Sequence, residues 1–396
     1  MNIAIYTLTS ALHDEQSIEA ATREFLGSLD VEFILRGSDY SDYGSHTLDL
    51  IYVRTGGTEG ILRPLLPQLR RQSDRPLLLL TSGLSNSLAA SMEILSYLNQ
   101  QGIGGEIIHG SADYVNRRIR LLAQAAAARR QLQGCRLGIV GQPSDWLISS
   151  TADYQRVQTA LGIQLIDIPM EELQAIVAGT PDEMPAETTE NAAIRASLPG
   201  AQRIYRALQT LVARHQLQGF TLRCFDLLTS LHNTGCLALA KLNADGIIAG
   251  CEGDVPAMLS MALARSVTGL SGFQANPAHI NPETGEVLFA HCTIPLNMVE
   301  RYELDTHFES GIGVGIRGYM PTGDVTVFKV SGDLSRHFIA EGQLLRCQAE
   351  PNLCRTQLLI RLDDARQTAD FLTRPIGNHH IILPGRQRQV LEEILK

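Results

Sequence analysis

The sequence predicts an α/β protein with two doubly wound parallel-sheet domains, followed by an antiparallel β-rich, barrel-like C-terminal domain. Short aliphatic runs alternate with helical patterns in the first third of the chain, which is typical of a parallel sheet buried on both faces. The alternation starts again near residue 132, and after about residue 268 strand-like runs with Gly and Pro turns replace it. We therefore expect domains at 1–131, 132–268 and 269–396.

The first domain is predicted from three buried strands with helices between them. The strands are Ile3–Leu8, Leu50–Val53 and Pro76–Thr81, and the helices lie near Ile18–Leu29, Gly60–Gln72 and Leu88–Gln101. Loop signals follow two of the strands, at Thr55–Gly60 and Thr81–Asn86. Because open α/β sheets bind ligands at the carboxyl ends of their strands, both loops are candidate ligand rims.

The second domain is predicted from a restart of the same pattern. A long helix, Asp113–Gln133, leads from the first domain to this one. The elements of the second domain are strand Cys135–Gly141, helix Ala152–Leu161, strand Ile163–Ile168, helix Ala201–His215, strand Thr221–Phe225, helix Cys236–Asn243 and strand Ile247–Cys251. The segment Gly179–Glu190, rich in Pro, Thr and acidic residues, is the clearest candidate for a flexible loop.

The third domain is predicted from strand-like runs separated by turns. These runs are Val287–His291, Gly313–Arg317, Val325–Val330, Leu344–Gln348 and Gln357–Leu362, and a helix at Arg386–Lys396 follows them.

Composition and charge exclude some classes of function. Hydrophobic residues make up 44% and charged residues 19%, as in ordinary globular proteins, and the formal net charge is -9. An acidic chain without a long Lys/Arg run is a poor candidate for binding nucleic acid or an anionic membrane. No window approaches about 18 consecutive apolar residues, so no membrane span is predicted. The seven cysteines are scattered without C-x-x-C spacing, which indicates reduced thiols in a cytoplasmic protein.

The residues that could carry chemistry lie at the ends of predicted strands. Glu252 and Asp254 end a strand and open a helix, His291 ends another strand, and the pair His379–His380 begins one. A carboxylate and two imidazoles could bind Mn²⁺, and the same donors also suit Fe²⁺, Co²⁺ or Zn²⁺. The alternative is structural: acidic residues often cap helices, and histidines in a β domain often only form hydrogen bonds.

Taken in order, four short motifs resemble the carboxyl-terminal half of the L-fucose isomerase and L-arabinose isomerase superfamily. They are Gly-Cys-Glu-Gly-Asp (250–254), Gly-Phe-Gln-Ala-Asn-Pro (272–277), Ala-His-Cys-Thr-Ile-Pro (290–295) and Gly-Asn-His-His (377–380). The stretches 56–59 and 86–95 resemble loops of the family's amino-terminal domain. The resemblance implies two α/β domains, a β-rich third domain and Mn²⁺-dependent interconversion of aldoses and ketoses. It also implies trimers or hexamers with sites at subunit junctions.

The resemblance also assigns site residues. Glu252 matches the family's first metal-binding carboxylate, and Asn276 stands where the second carboxylate is expected. His291 resembles an imidazole ligand of the arabinose isomerase branch. One of His379 and His380 matches the carboxyl-terminal histidine ligand, and because neighbours on a strand point to opposite faces only one of them can face the metal.

The amide at Asn276 bears on the chemistry. Isomerisation through an enediol needs a base that moves a proton between adjacent carbons, and an amide cannot take up that proton. Glu252 would then work with Asp254, Glu309 or a metal hydroxide, or the chemistry has changed.

Four further residues are predicted to bind substrate. Arg223, near a strand end, and Asn233, in the turn after it, could bind sugar hydroxyls. His307 and Glu309 alternate with Phe308, which would place both on one face of a strand beside the site. The alternative for this last pair is a surface role.

Together these observations favour a metal-dependent ketol isomerase that acts on a monosaccharide as a homo-oligomer. Two alternatives stay open at this stage. One is a family member that acts on another carbohydrate-like metabolite by different chemistry, and the other is a non-catalytic sugar-binding module.

Overall fold

The structure is a computed structural model that describes residues 2–396, except for the side chains of Glu15 and Ser17. The chain divides into two compact units. The first consists of the residues up to Arg130 together with Glu393–Lys396, and the second is Gln131–Glu392. Among the described residues, no helix combines the length and the apolar character that a bilayer crossing requires.

The first unit contains a five-stranded parallel sheet. Its strands are β1 (Ile3–Leu8), β2 (Ile34–Gly37), β3 (Leu48–Val53), β4 (Leu77–Leu80) and β5 (Gly105–Ile108), in the order β2-β1-β3-β4-β5. The helices are α1 (Glu15–Gly27), α2 (Glu59–Gln72), α3 (Ser87–Gln100) and α4 (Ala112–Leu132). Every residue of β3 and β4 is buried, because apolar clusters pack against both faces of the sheet.

The two loops predicted as ligand rims lie side by side in this unit. One follows β3 and the other follows β4 as a 3₁₀ turn, Leu84–Asn86. The amide of Gly56 donates to the carbonyl of Ser85 at 2.7 Å. Ligand binding by these loops stays a prediction.

The second unit begins with a four-stranded parallel sheet. Its strands are β6 (Arg136–Val140), β7 (Gln164–Ile168), β8 (Gly219–Leu222) and β9 (Ile248–Cys251), in the order β7-β6-β8-β9. The associated helices are α5 (Tyr154–Leu161), α6 (Met170–Gly179), α7 (Ala192–His215), α8 (Asp226–Leu231), α9 (Cys236–Ala244) and α10 (Val255–Thr268). Two parallel sheets with helices confirm the α/β prediction.

The rest of the second unit is a closed antiparallel barrel, which confirms the β-rich prediction. Its strands are β10 (Phe273–Asn281), β11 (Glu286–His291), β14 (Gly323–Val330), β15 (His337–Gln348), β16 (Thr356–Leu362) and β17 (His380–Pro384). Their order around the barrel is β10-β11-β16-β15-β14-β17. A separate hairpin pairs β12 (Arg301–Asp305) with β13 (Gly315–Tyr319), and two short 3₁₀ turns at Leu296–Met298 and Ala365–Gln367, α11 (Thr368–Thr373) and α12 (Arg388–Leu395) complete the chain.

One apolar cluster joins the barrel to helices of the parallel sheet within the second unit. It contains Phe273, Phe289 and Ile382 from barrel strands, together with Leu198 from α7 and Leu237 from α9. A shared core of this kind explains why the second unit is compact as a whole. The predicted division at residues 131/132 and 268/269 stays a prediction.

Two local predictions differ from the structure. Helix α7 begins at Ala192 rather than near residue 201, and it accommodates Pro199 in its interior. The segment from His307 to Glu309 is a turn rather than a strand, closed by a hydrogen bond from the Gly311 amide to the His307 carbonyl at 2.9 Å. The glycines around this segment favour a reversal of the chain over an extended strand.

The junction between β9 and α10 decides where Glu252 points. Glu252 has a φ of 64° and Gly253 a φ of 71°, so the chain passes through two left-handed residues directly after the strand. Asp254 then begins the helix, because its side chain accepts from the Ala257 amide and Pro256 lies in the first turn. A non-glycine residue in the left-handed region carries backbone strain, and such residues cluster at functional sites.

Gly253 provides a test of this junction. A Cβ at Gly253 would lie 2.5 Å from the Gln142 carbonyl oxygen, whereas at Gly269, with a φ of 78°, it would meet nothing within 4 Å. We expect Gly269→Ala to lower the unfolding free energy by about 1 kcal/mol, only because alanine is strained at a positive φ. Gly253→Ala should cost roughly 1–3 kcal/mol more, because it also overpacks. Equal losses in denaturant unfolding of the two variants would contradict the close packing of this junction.

Candidate metal centre

Three buried side chains from separate elements converge in the second unit. Glu252 follows β9, His291 ends β11 and His379 precedes β17, and one ligand atom from each lies within 4.8 Å of the others. The exposed fractions are 9% for Glu252, 4% for His291 and 0% for His379. The structure therefore brings together three of the residues that the sequence singled out, and this group could hold a divalent metal ion.

The spacing within the group suits ligands of one ion better than hydrogen bonds. Glu252 Oε1 lies 3.4 Å from His379 Nε2 and 3.5 Å from His291 Nε2, both long for a charge-assisted hydrogen bond. Two ligands that are each about 2.1 Å from one ion lie about 3.0–3.4 Å apart. His379 Nε2 is also a buried nitrogen without a hydrogen-bond partner among the described residues, which is the state expected of a ligand atom.

The second ring nitrogen of each histidine is held by a neighbour. His379 Nδ1 lies 2.8 Å from Asp254 Oδ2, and His291 Nδ1 lies 3.1 Å from Thr293 Oγ1. Such contacts fix the orientation of a ring and direct Nε2 at the metal, as in carboxylate–histidine–metal arrangements.

The contacts of Asp254 suit positioning of His379 rather than catalysis, and its catalytic role stays a prediction. Its carboxylate is fully buried and is occupied by His379, by the Ala257 amide and by Lys329 Nζ at 3.2 Å. No part of it is free to exchange a proton with a substrate. Lys329, itself 0% exposed, is not among the residues that the sequence singled out, although a lone lysine in the apolar run of β14 was a usable signal.

The charged forms of Glu252 and His379 stabilise each other. Burial alone would raise the pKa of the Glu252 carboxyl, but the rings of His379 and His291 outweigh it and hold that pKa below its usual range. Burial would likewise lower the pKa of His379, yet Glu252 and Asp254 raise it to about 9. The ionised carboxylate stabilises positive charge beside the two rings, so a metal ion that binds to the group must displace the proton from His379.

His380 does not join the group, which corrects its inclusion among the candidate ligands. Its ring lies 4.8 Å from that of Phe371 and 5.4 Å from that of Phe338, and its Nδ1 donates to the Asn378 carbonyl at 3.1 Å. Burial in this apolar setting lowers the pKa of His380 to about 3. Adjacent histidines therefore point to opposite sides, and His379 is the one that faces Glu252.

Asn276 lies at the border of the group. In the pairing of β10 with β17, Ala275 is opposite His380, and the register carried one residue further brings Asn276 opposite His379. Cross-strand neighbours project from the same face of a sheet. The Asn276 Oδ1 accepts a hydrogen bond from Asn378 Nδ2 at 3.1 Å. Metal binding and catalysis by Asn276 stay predictions.

Trp146 contacts the group directly, although the sequence did not single it out. Its Nε1 donates to Glu252 Oε2 at 2.7 Å, and its ring packs edge-on against Phe225 at 4.8 Å. The sole tryptophan of the sequence, in a loop after a parallel strand, was the signal that could have found it.

Arg223 holds the loop that carries Trp146, and substrate binding by Arg223 stays a prediction. Its guanidinium donates to the Pro143 carbonyl at 2.7 Å and pairs with Asp145 at 2.9 Å and with Asp226 at 3.1 Å. The side chain of Asn233 is likewise engaged by its neighbours, and sugar binding by it stays a prediction. Its amide nitrogen donates to the Ser197 carbonyl at 2.8 Å and its oxygen accepts from the Thr234 amide, so both ends of its side chain form hydrogen bonds with the backbone.

The turn that carries His307 and Glu309 lies near the group. The His307 ring packs edge-on against Phe225 at 5.5 Å, and its Nδ1 lies 3.0 Å from Ser310 Oγ. Burial and the nearby His291 ring lower the pKa of His307 to about 4. Burial and the charge of Glu252 raise the pKa of Glu309. The charges of the group thus affect the pKa of both residues. Substrate binding by His307 and Glu309 stays a prediction.

The fold and the site together define an α/β protein with a β-barrel and a buried group that could hold a divalent metal ion. No family model matches the chain. It is similar to the sulfoquinovose isomerase of Priestia aryabhattai, with 24% identity over 264 residues, 62% of this chain and 59% of that protein. The sulfoquinovose isomerase of Alkalicoccus urumqiensis is 22% identical over 261 residues, again 62% and 59% of the two chains.

A third relative, the sulfoquinovose isomerase of Clostridium sp. (strain MSTE9), is 28% identical over 134 residues, 32% of this chain and 30% of that protein. The chain thus spans about three fifths of the first two relatives it matches. These likenesses associate it with sugar isomerases, as the sequence motifs suggested.

The position of Trp146 gives a direct test of metal binding. We expect Co²⁺ to quench the fluorescence of this single tryptophan, because the indole donates to a proposed metal ligand and Co²⁺ quenches emission at short range. Excess Zn²⁺ should restore the emission by displacing Co²⁺. In His379→Ala, which leaves the bond between Trp146 and Glu252 in place, quenching should need much higher Co²⁺. Quenching that is the same in both proteins would contradict the site.

Proposed function

We propose that this chain is a divalent-metal-dependent isomerase that interconverts an aldose and a ketose. The observation that carries the proposal is the buried group of Glu252, His291 and His379 in a protein whose relatives are named as sugar isomerases. One carboxylate and two imidazoles leave coordination positions open for a substrate. Mn²⁺ is the cation that the superfamily resemblance favours, and the donors also accept Fe²⁺, Co²⁺ or Zn²⁺.

The reaction sets clear requirements. A proton must move between two adjacent carbons of the sugar while negative charge develops on the neighbouring oxygens. A bound divalent cation supplies the stabilisation of that charge. The protein must supply the binding site for the cation, the orientation of the sugar and the groups that take up and return the proton.

Glu252 and Glu309 are the carboxylates that we assign to proton transfer. Asp254 is unsuited to it, since His379, Lys329 and the start of α10 occupy its oxygens. Glu309, by contrast, has no hydrogen bond or ion pair from the described residues. Its pKa is raised by burial and by the charge of Glu252, a shift in the direction that suits a carboxyl which takes up and returns a proton. His307, a neutral imidazole at neutral pH, is then available to bind a sugar hydroxyl.

The specific substrate, the assembly and the location are parts of the same proposal. Sulfoquinovose, fucose and arabinose are the sugars that the relatives and the resemblance nominate. The resemblance also favours a homo-oligomer of three or six copies, and the scattered cysteines favour the cytoplasm.

The experiment that tests the proposal is a panel of aldoses and ketoses incubated with the protein and Mn²⁺ in D₂O. We expect one aldose–ketose pair to interconvert, with deuterium uptake at the carbon that loses its proton. Glu252→Gln should lower turnover at least about 10²-fold, because it removes a metal ligand and a base at once. Tight metal binding without turnover of any sugar, or without deuterium uptake, would favour the diverged or non-catalytic alternatives.

Asn276 separates ordinary isomerisation from altered chemistry. We expect Asn276→Asp to tighten Mn²⁺ binding, because it adds a negative charge beside His379. If a base is all that the native site lacks, turnover should rise by roughly 10²–10⁴-fold. Asn276→Ser, which adds no charge, is the control. Tighter metal with lower turnover would mean that the native reaction uses the neutral amide, and unchanged affinity and turnover would remove Asn276 from the site.

A further inference from the structure

We propose that Trp146 is a positioning residue of the metal centre, whose indole N–H holds Glu252 Oε2 so that Oε1 alone faces the two histidines. The inference rests on the proposed metal site, and it adds a residue that is sequence-distant from every ligand. It concerns how Glu252 binds a cation and does not depend on which sugar is the substrate.

The two oxygens of Glu252 have different partners. Oε2 accepts from Trp146 Nε1 at 2.7 Å, while Oε1 lies 3.4 Å from His379 Nε2 and 3.5 Å from His291 Nε2. An indole N–H is a donor only, so it can bind a carboxylate oxygen but cannot compete for the cation. A hydrogen bond to a charged acceptor is stronger than one between neutral groups, and this partly buried one should keep the carboxylate from rotating to offer both oxygens.

The loop that carries Trp146 is fastened to the same residue. The Ser144 amide donates to the Glu252 carbonyl at 3.0 Å, and the missing side chain of Gly253 lets Gln142 and Pro143 pack close to it. Arg223 holds the loop from the other side through the Pro143 carbonyl. The loop therefore constrains both the backbone and the side chain of Glu252, which is itself held in a left-handed conformation.

The indole is also half exposed, at 50%, although its N–H points at a buried carboxylate. Burial of apolar area cannot by itself account for a tryptophan in this orientation. The edge-on contact with Phe225 orients the ring so that the N–H meets Oε2. The location of the indole, the direction of its N–H and its contact with Phe225 all favour a hydrogen bond to Glu252.

The test is the affinity of the purified full chain for Co²⁺, measured by calorimetry and by visible absorption. Trp146→Phe keeps an aromatic ring and removes the donor, and we expect its dissociation constant to rise about 10–100-fold, the usual loss when a partner of a metal ligand is removed. The absorption spectrum should also change, because a released carboxylate can bind through two oxygens.

The matched control is Tyr154→Phe. Tyr154 donates to Asp167 at 2.6 Å and is 39% exposed, so this variant also removes one donor to a carboxylate in the same unit, away from the group. Its Co²⁺ affinity and spectrum should equal those of the native chain.

A second replacement separates the N–H from the shape of the ring. Because the chain has a single tryptophan, benzothienylalanine can be placed at position 146, where sulfur replaces the N–H with little change in size. It should weaken Co²⁺ binding as Trp146→Phe does. Native affinity and spectrum in both replacements would overturn the inference while leaving the proposed isomerase intact. The converse result, weaker metal binding in both but no sugar turnover by the native chain, would support the inference and overturn the function.

Discussion

The arrangement of the site depends on the contacts that the buried Asp254 carboxylate forms with three other elements. A carboxylate without exposure to solvent is costly unless its charge and lone pairs are matched, and Asp254 meets both conditions. It accepts from the first turn of α10, pairs with Lys329 on the barrel strand β14 and contacts His379 before β17. The start of α10, strand β14 and the segment before β17 are thereby fixed relative to one another.

These contacts fix the orientation of the side chains that form the site. Because His379 Nδ1 is engaged with Asp254, its Nε2 is turned toward Glu252, and Glu252 is in turn presented by a left-handed residue after β9. The strain of that residue and the burial of these charges lower the stability of the metal-free chain. A bound cation would offset both, so metal binding and folding should be linked in this unit.

Much of this could be predicted from the sequence, and the failures have physical causes. The positions of Glu252, His291 and His379 at the ends of predicted strands indicated that these residues meet. Because side chains alternate along a strand, only one of the two adjacent histidines could face the group. The sequence offered Asp254 as a catalytic candidate, since it cannot reveal that a lysine 75 residues later contacts both oxygens of that carboxylate. Trp146 was missed because a single loop side chain has no periodicity, and only its hydrogen bond in the folded chain ties it to Glu252.

Diffraction from crystals of the full chain grown with Mn²⁺, recorded on both sides of the manganese absorption edge, would locate the cation directly. The predicted result is one strong anomalous peak about 2.0–2.3 Å from Glu252 Oε1 and from Nε2 of both His291 and His379, with Trp146 Nε1 still on Oε2. A peak elsewhere, or no peak with the three side chains joined only by hydrogen bonds, would contradict the assignment of this group as a metal centre.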